Sequence, residues 1–261
     1  MWIDLHFVAS GFLVGLLVGL TGVGGGSLMT PLLTAVFGIS PKVAVGTDLA
    51  FAAITKGAGT LVHRLRGTVN WHVVKLMCVG SLPAAVLAIF GLHYLGKVDD
   101  TITVVIRWSI AFSVGLTVLV LLFKGQVLEW LNRHPEKWLN PRQQTVVTIV
   151  GAAILGVLVT VSSIGAGAIG ATFMSFVYPR MKTAEVAGTD IAYAVPLTAI
   201  AAFGHASLGT INWVLLASLL VGSLPGITIG SFASKAVPEK LLRALLAVTL
   251  TLVATKMILK G

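Results

Sequence analysis

"TGVGGGSLMTP", residues Thr21 to Pro31, places four glycines and two threonines inside the apolar N-terminal stretch. The sixteen residues before it, "LHFVASGFLVGLLVGL" from Leu5 to Leu20, read as the greater part of a membrane-crossing helix. Glycine is a poor helix former, and in hydrocarbon an unpaired N–H or C=O costs several kcal/mol. Irregular backbone at that depth is tolerated only where protein covers it or a wet cavity adjoins it. The break therefore predicts a turn made inside the membrane. The returning half-helix, starting near Ser27 with Pro31 in its first turns, would offer free N–H groups and the positive end of its dipole.

Composition supports a membrane setting. Of 261 residues, 56% are hydrophobic and 10% charged, and the mean hydropathy of +0.98 lies outside the range of soluble domains. Apolar segments occur at about residues 5 to 38, 43 to 62, 71 to 95, 101 to 123, 144 to 178, 184 to 204, 213 to 234 and 240 to 259. The first and fifth are too long for a single crossing. The N-terminus lacks a basic stretch and carries Asp4, so no cleaved signal is expected. Cys78 is the single cysteine, which excludes an internal disulfide and a cysteine-based metal site. The net charge of +9 comes mainly from Lys and Arg in short loops, a pattern of membrane topology rather than of nucleic-acid binding. No cofactor is expected.

The chain matches itself at an offset of 142, the distance from Val45 to Ala187. "VGTDLAFA" (Val45 to Ala52) meets "AGTDIAYA" (Ala187 to Ala194), "GTVNW" (Gly67 to Trp71) meets "GTINW" (Gly209 to Trp213), and "VGSLP" recurs at Val79 and Val221. After a one-residue gap, "GVGGGS" (Gly22 to Ser27) aligns with "SIGAGA" (Ser163 to Ala168). The first repeat covers 1–123, a cytoplasmic linker 124–143, and the second repeat 144–261.

Arg64, Arg66 and Lys75 surround the first "GTVNW", whereas its twin "HASLGTINWVLLA" carries no charge. Cytoplasmic loops retain Lys and Arg, so the two copies fall on opposite sides. The expected architecture is an all-α integral membrane protein of two inverted repeats, each a glycine-broken re-entrant helical hairpin plus three transmembrane helices. Both termini are expected outside the inner (plasma) membrane. The linker, with Trp130 and Trp138, is expected along the inner surface.

Two half-helix ends meeting near the midplane make an anion site. The candidate binding residues are Gly24, Gly25, Gly26 and Ser27 from one hairpin and Ser163, Gly165, Ala166 and Gly167 from the other. The glycines could instead serve close helix packing alone. Lys56 follows Asp48 by eight residues on nearly the same helix face and has Thr198 in its matched position. It would supply positive charge to the anion path, or else snorkel to the interface. Asp48 and Asp190, matched in the two "GTD" copies, are candidates for coupling or gating, with helix N-capping as the alternative. His63 and His205 are candidates for proton exchange or for capping. There is no P-loop pattern, no H-E-x-x-H and no clustered nucleophile and base, so neither an enzyme nor a metal site is expected.

"GVGGGSLMTPLL", "VAVGTDLA", "HRLRGTVNW" and "GTINW" resemble the sulfite exporter TauE/SafE family over nearly the whole chain. The resemblance implies a membrane transporter of small sulfur-containing anions such as sulfite, sulfoacetate or related organosulfonates, coupled to protons or to membrane potential. The implied partners are a small anionic substrate and the lipid bilayer. An anion channel of the same architecture is the alternative, and a homodimer is one option for the assembly.

Overall fold

The computed structural model describes residues 5–21, 26–95, 101–135 and 138–233. Gly24, Gly25 and the segment expected at 240–259 lie outside the described residues, as does the side chain of Ser27. Every regular element among the described residues is an α-helix: α1 (Leu5–Thr21), α2 (Gly26–Ala35), α3 (Pro41–Leu65), α4 (Trp71–Leu95), α5 (Thr101–Arg133), α6 (Pro141–Ser162), α7 (Ala168–Val177), α8 (Thr183–Ser207) and α9 (Trp213–Ala233).

Local chemistry sets where the long helices begin. α6 starts at a capping box, with Asn140 Oδ1 accepting from Gln143 N at 2.9 Å and Gln143 Oε1 accepting from Asn140 N at 3.0 Å. Asn70 and Asn212 cap α4 and α9 through bonds from Val73 N and Leu215 N to their Oδ1 atoms, 3.3 and 3.1 Å. The helix expected to end near residue 123 continues instead to Arg133. The residues that follow, "KGQVLEWLNR", are mostly good helix formers, and Arg133 pairs with Glu129 one turn away. At about 1.5 Å per residue, α5 exceeds the hydrocarbon thickness, so the first half of the linker is helix rather than surface loop.

α4, α5, α6 and α8 are long and apolar enough to cross a membrane. α1 and α9 are apolar as well, over Leu5–Val18 and Trp213–Ile229. The core is apolar, as in a soluble domain, but so is much of the surface. Phe90, Trp108, Phe112 and Phe203 stand at the surface, while Thr30, Thr55, Ser113, Thr160 and Thr198 are buried. Three of these hydroxyls bond to carbonyls of their own helices, Thr55 to Phe51 O at 2.8 Å, Thr160 to Gly156 O at 2.7 Å and Thr198 to Ala194 O at 2.8 Å.

Three helix pairs make the core: α1 with α9, α4 with α6, and α3 with α8. The first two are seams of small residues. A Cβ at Gly80 would run into Ile149 O and one at Gly156 into Ser81 O; in the other seam Gly222 abuts Val8 O and Gly15 abuts Ser223 O. Gly80 matches Gly222 and Gly156 matches Gly15, so the two seams are built from equivalent positions exchanged between the halves.

The α3–α8 pair shows the same exchange. Asn70 N donates to Thr189 Oγ1 at 2.9 Å, and Asn212 N donates to Thr47 Oγ1 at 3.0 Å. Thr47, near the start of α3, thus lies against the turn after α8, and Thr189, near the start of α8, against the turn after α3. The two helices run antiparallel.

Candidate functional site

The second hairpin is described from end to end. α6 closes on Ser163, whose φ of 59° is left-handed. Gly165 and Gly167 follow with φ of 130° and 138°, values that side chains rarely adopt, so glycine is required for this path. Ser162 anchors the break, its hydroxyl 3.0 Å from Ser113 Oγ of α5 and accepting from Ile164 N at 3.2 Å. The chain then returns along α6, with Gly165 packed on Val159 and Leu155 and Phe173 on Gly151. Tyr178 Oη meets Thr148 Oγ1 at 2.7 Å, and Gln144 Nε2 donates to Val177 O at 3.0 Å. α7, of ten residues, is about 15 Å long and covers only the first half of α6. Its N-terminus therefore stands beside the middle of α6 rather than at its end. In the first half the Phe7 and Phe37 rings lie 5.0 Å apart, at positions that match Thr148 and Tyr178.

Around this break lie the charged side chains that are fully buried among the described residues: Asp48 (0% exposed), Asp190 (1%) and Lys56 (3%). Both aspartates sit about two turns inside their helices, beyond the N-cap positions of α3 and α8, so neither caps its own helix. Asp48 Oδ2 accepts from Thr30 N at 3.1 Å and from Thr30 Oγ1 at 2.6 Å, which ties α3 to the start of α2. The Ser163 hydroxyl approaches Asp48 without completing a hydrogen bond. Lys56 does not snorkel. Its Nζ donates to Ala166 O at 2.7 Å, so a cation from the first half is bonded to the break of the second, and its charge acts on Asp190 and Asp48.

The structure thus brings Lys56, Asp48, Asp190, Ser163, Gly165, Ala166 and Gly167 together, and Gly26 opens α2. The histidines sit elsewhere. His63 Nδ1 lies 2.9 Å from Thr68 Oγ1, and His205 Nδ1 lies 3.0 Å from Thr210 Oγ1 with Nε2 2.9 Å from Thr160 O. Each secures the turn at the C-terminal end of its helix. Two residues of the cluster escape a reading for charge, Thr30 and Tyr193. Comparison of the halves marks both, since Thr30 faces Ala171 and Tyr193 faces Phe51 at matched positions.

A buried helix end, an ammonium and buried hydroxyls can hold a small oxyanion, and a carboxylate beside them can exchange a proton. Among the described residues no group of three His, Cys, Asp or Glu forms a metal site.

The family model described as sulfite exporter TauE/SafE matches residues 7–257. YjnA of Bacillus subtilis (strain 168), a probable membrane transporter protein, is 36% identical over 260 residues, covering 98% of this chain and 100% of the relative. YdhB of the same organism, also a probable membrane transporter protein, is 26% identical over 241 residues, covering 91% of this chain and 93% of the relative. A probable membrane transporter protein of Xylella fastidiosa (strain Temecula1 / ATCC 700964) is 26% identical over 228 residues, covering 86% of this chain and 82% of the relative. No solved structure matches the chain.

Proposed function

The chain belongs to the sulfite exporter TauE/SafE family and is a multi-pass membrane transporter, and from that premise we propose that it exports a small sulfur-containing anion by alternating access. Sulfite, sulfoacetate and related organosulfonates are the substrates. The observation that carries this reading is the Lys56 ammonium bonded inside the break of the second hairpin, beside the buried amide end of α7. A buried ammonium at membrane depth is a functional group by default, and its charge attracts an anion even while Ala166 O holds it.

In this reading the halves are inverted repeats in the inner membrane, with both termini outside. The antiparallel α3 and α8 and the exchanged Asn–Thr bonds support it. The repeats rock against each other around the shared site, and a buried carboxylate of the matched pair Asp48 and Asp190 couples the movement to protons. His63 and His205 gate by holding or releasing the turns they secure.

Purified protein in liposomes is expected to take up labelled sulfite or sulfoacetate with saturation and counterflow. Lys56→Gln should weaken apparent affinity about tenfold or more, the scale of a lost charge-assisted hydrogen bond. Non-saturating conductance would replace the transporter by a channel, and folded protein without any anion flux would remove both.

A further inference from the structure

Asp48 and Asp190 occupy matched positions in unmatched surroundings. Thr30 gives Asp48 two hydrogen bonds. Its counterpart Ala171 has no hydroxyl, and neither oxygen of Asp190 has a hydrogen-bond partner among the described residues. The Gly167 amide approaches Asp190 without completing a bond. Gly170 lies directly against Asp190 Oδ1, leaving no room for a Cβ. One turn along α8 the Tyr193 hydroxyl is fully buried and also unpartnered, and its counterpart Phe51 carries no hydroxyl. Orphaned buried polar atoms mark a strained or working site: Asp190 has both oxygens unpartnered and the Tyr193 hydroxyl beside it, whereas Asp48 has one oxygen unpartnered and the other held by Thr30.

The groups facing Asp190 come from each neighbouring helix. α3 contributes Lys56, whose charge acts on Asp190 as it does on Asp48, with His63 against Gly188 two residues before Asp190. Lys124 of α5 acts on Asp190, and Cys78 of α4 acts on Tyr193. α6 beyond Arg142 and α7 carry no titratable side chain. On α8 itself Glu185 accepts from Asn70 Nδ2 at 3.1 Å.

We propose that Asp190, with Tyr193 beside it, takes up and releases the coupling proton, that its neutral form is the condition for an anion to reach the amide end of α7, and that Asp48 is a fixed structural carboxylate. An anion arriving at Gly167 and Ala168 meets the Asp190 carboxylate at the same place, and two like charges at contact distance repel strongly in a water-poor interior. A proton added to Asp190 removes that repulsion and supplies an O–H donor to Tyr193 Oη or to the substrate. Release of the anion restores the carboxylate and returns the proton to water. Lys56 remains on Ala166 O and holds the break in shape throughout. This assignment rests on the transporter reading above and narrows it.

Infrared difference spectra of the purified full-length protein, buffer at about pH 6 minus alkaline buffer and without substrate, test the proton site by itself, because an ordinary solvent-exposed carboxyl, with a pKa of about 4, stays ionised in both. The carbonyl band of a protonated carboxyl is expected in the wild type and in Asp48→Asn, absent in Asp190→Asn, and displaced in Tyr193→Phe. A band that survives Asp190→Asn, disappears in Asp48→Asn, or is missing from the wild type overturns the assignment. In proteoliposomes, apparent affinity for labelled sulfoacetate or sulfite should fall about tenfold per pH unit on the alkaline side in the wild type and in Asp48→Asn. Asp190→Asn should keep counterflow, lose the pH slope and fail to accumulate substrate against a gradient. Should Asp190→Asn not elute as folded protein, Asp190→Ser replaces it in both measurements. The expected spectra from a wild type that moves neither anion would leave the proton assignment standing and remove the substrate reading.

Discussion

Thr47 and Thr189 do the same work at opposite ends of one helix pair. Each hydroxyl accepts the backbone N–H of the asparagine that opens a helix of the other half. Removing one such acceptor leaves a half-buried N–H without a partner, a loss of about 1 to 2 kcal/mol. Thr47→Val and Thr189→Val are therefore expected to lower the unfolding midpoint in detergent by similar amounts, and the double variant by their sum, because the two sites are far apart. Unequal single effects would mean that the two ends carry different loads. The same threonines show what the sequence reveals and what it hides. "GTD" and "GTxNW" are visible as repeated words, but that Thr47 reaches Asn212, 165 positions away, depends on how the halves cross. Asp48 and Asp190 likewise read as twins. Their different surroundings come from Thr30 and Ala171 on other helices, which charge and motif searches pass over.

At the scale of elements, the glycine breaks are legible because a run of glycines conflicts with the surrounding apolar helix. The length of α7 follows from the same conflict, since the residues left after Gly167 cannot cross. The continuation of α5 to Arg133 is not legible from hydropathy. Polar residues that end a membrane span do not end a helix, and the stop comes only at Pro135. The small-residue seams offer a second test at this scale. Gly80→Leu and Gly222→Leu would each drive a side chain into the backbone of a neighbouring helix, at Ile149 and Val8, and each is expected to cost several degrees of thermal stability or the fold itself. Gly125→Ala in α5 meets nothing within 4 Å and should leave the midpoint unchanged or raise it by up to about 1 kcal/mol of helix propensity. A fluorescence-detected thermal series on the purified variants distinguishes them. Equal behaviour of Gly80→Leu and Gly125→Ala would contradict the packing.

For the whole molecule, the decisive relation is between the two halves. Antiparallel α3 and α8 imply that the turns after them open on opposite sides if both helices cross the bilayer. With Cys78→Ser as background, single cysteines at Arg66 and Ser207, both exposed, should label from opposite sides of a sealed vesicle. Labelling from one side would remove the inverted arrangement and the shared mid-depth site with it. The fold class is readable in the chain because apolar length and Lys/Arg asymmetry are local quantities. Which helices touch is not, since α1 meets α9 and α4 meets α6 through glycines that no pattern in either segment pairs together.

That first seam has a consequence for how the molecule is made. Val8 and Gly222 are in contact but more than two hundred residues apart, so at about 5 to 20 residues per second α1 leaves the ribosome roughly ten to forty seconds before its partner exists. Through that interval its glycine face has only lipid or the insertion machinery to rest against. α1 thus waits for the helix that covers it, and this seam closes only once α9 has been made.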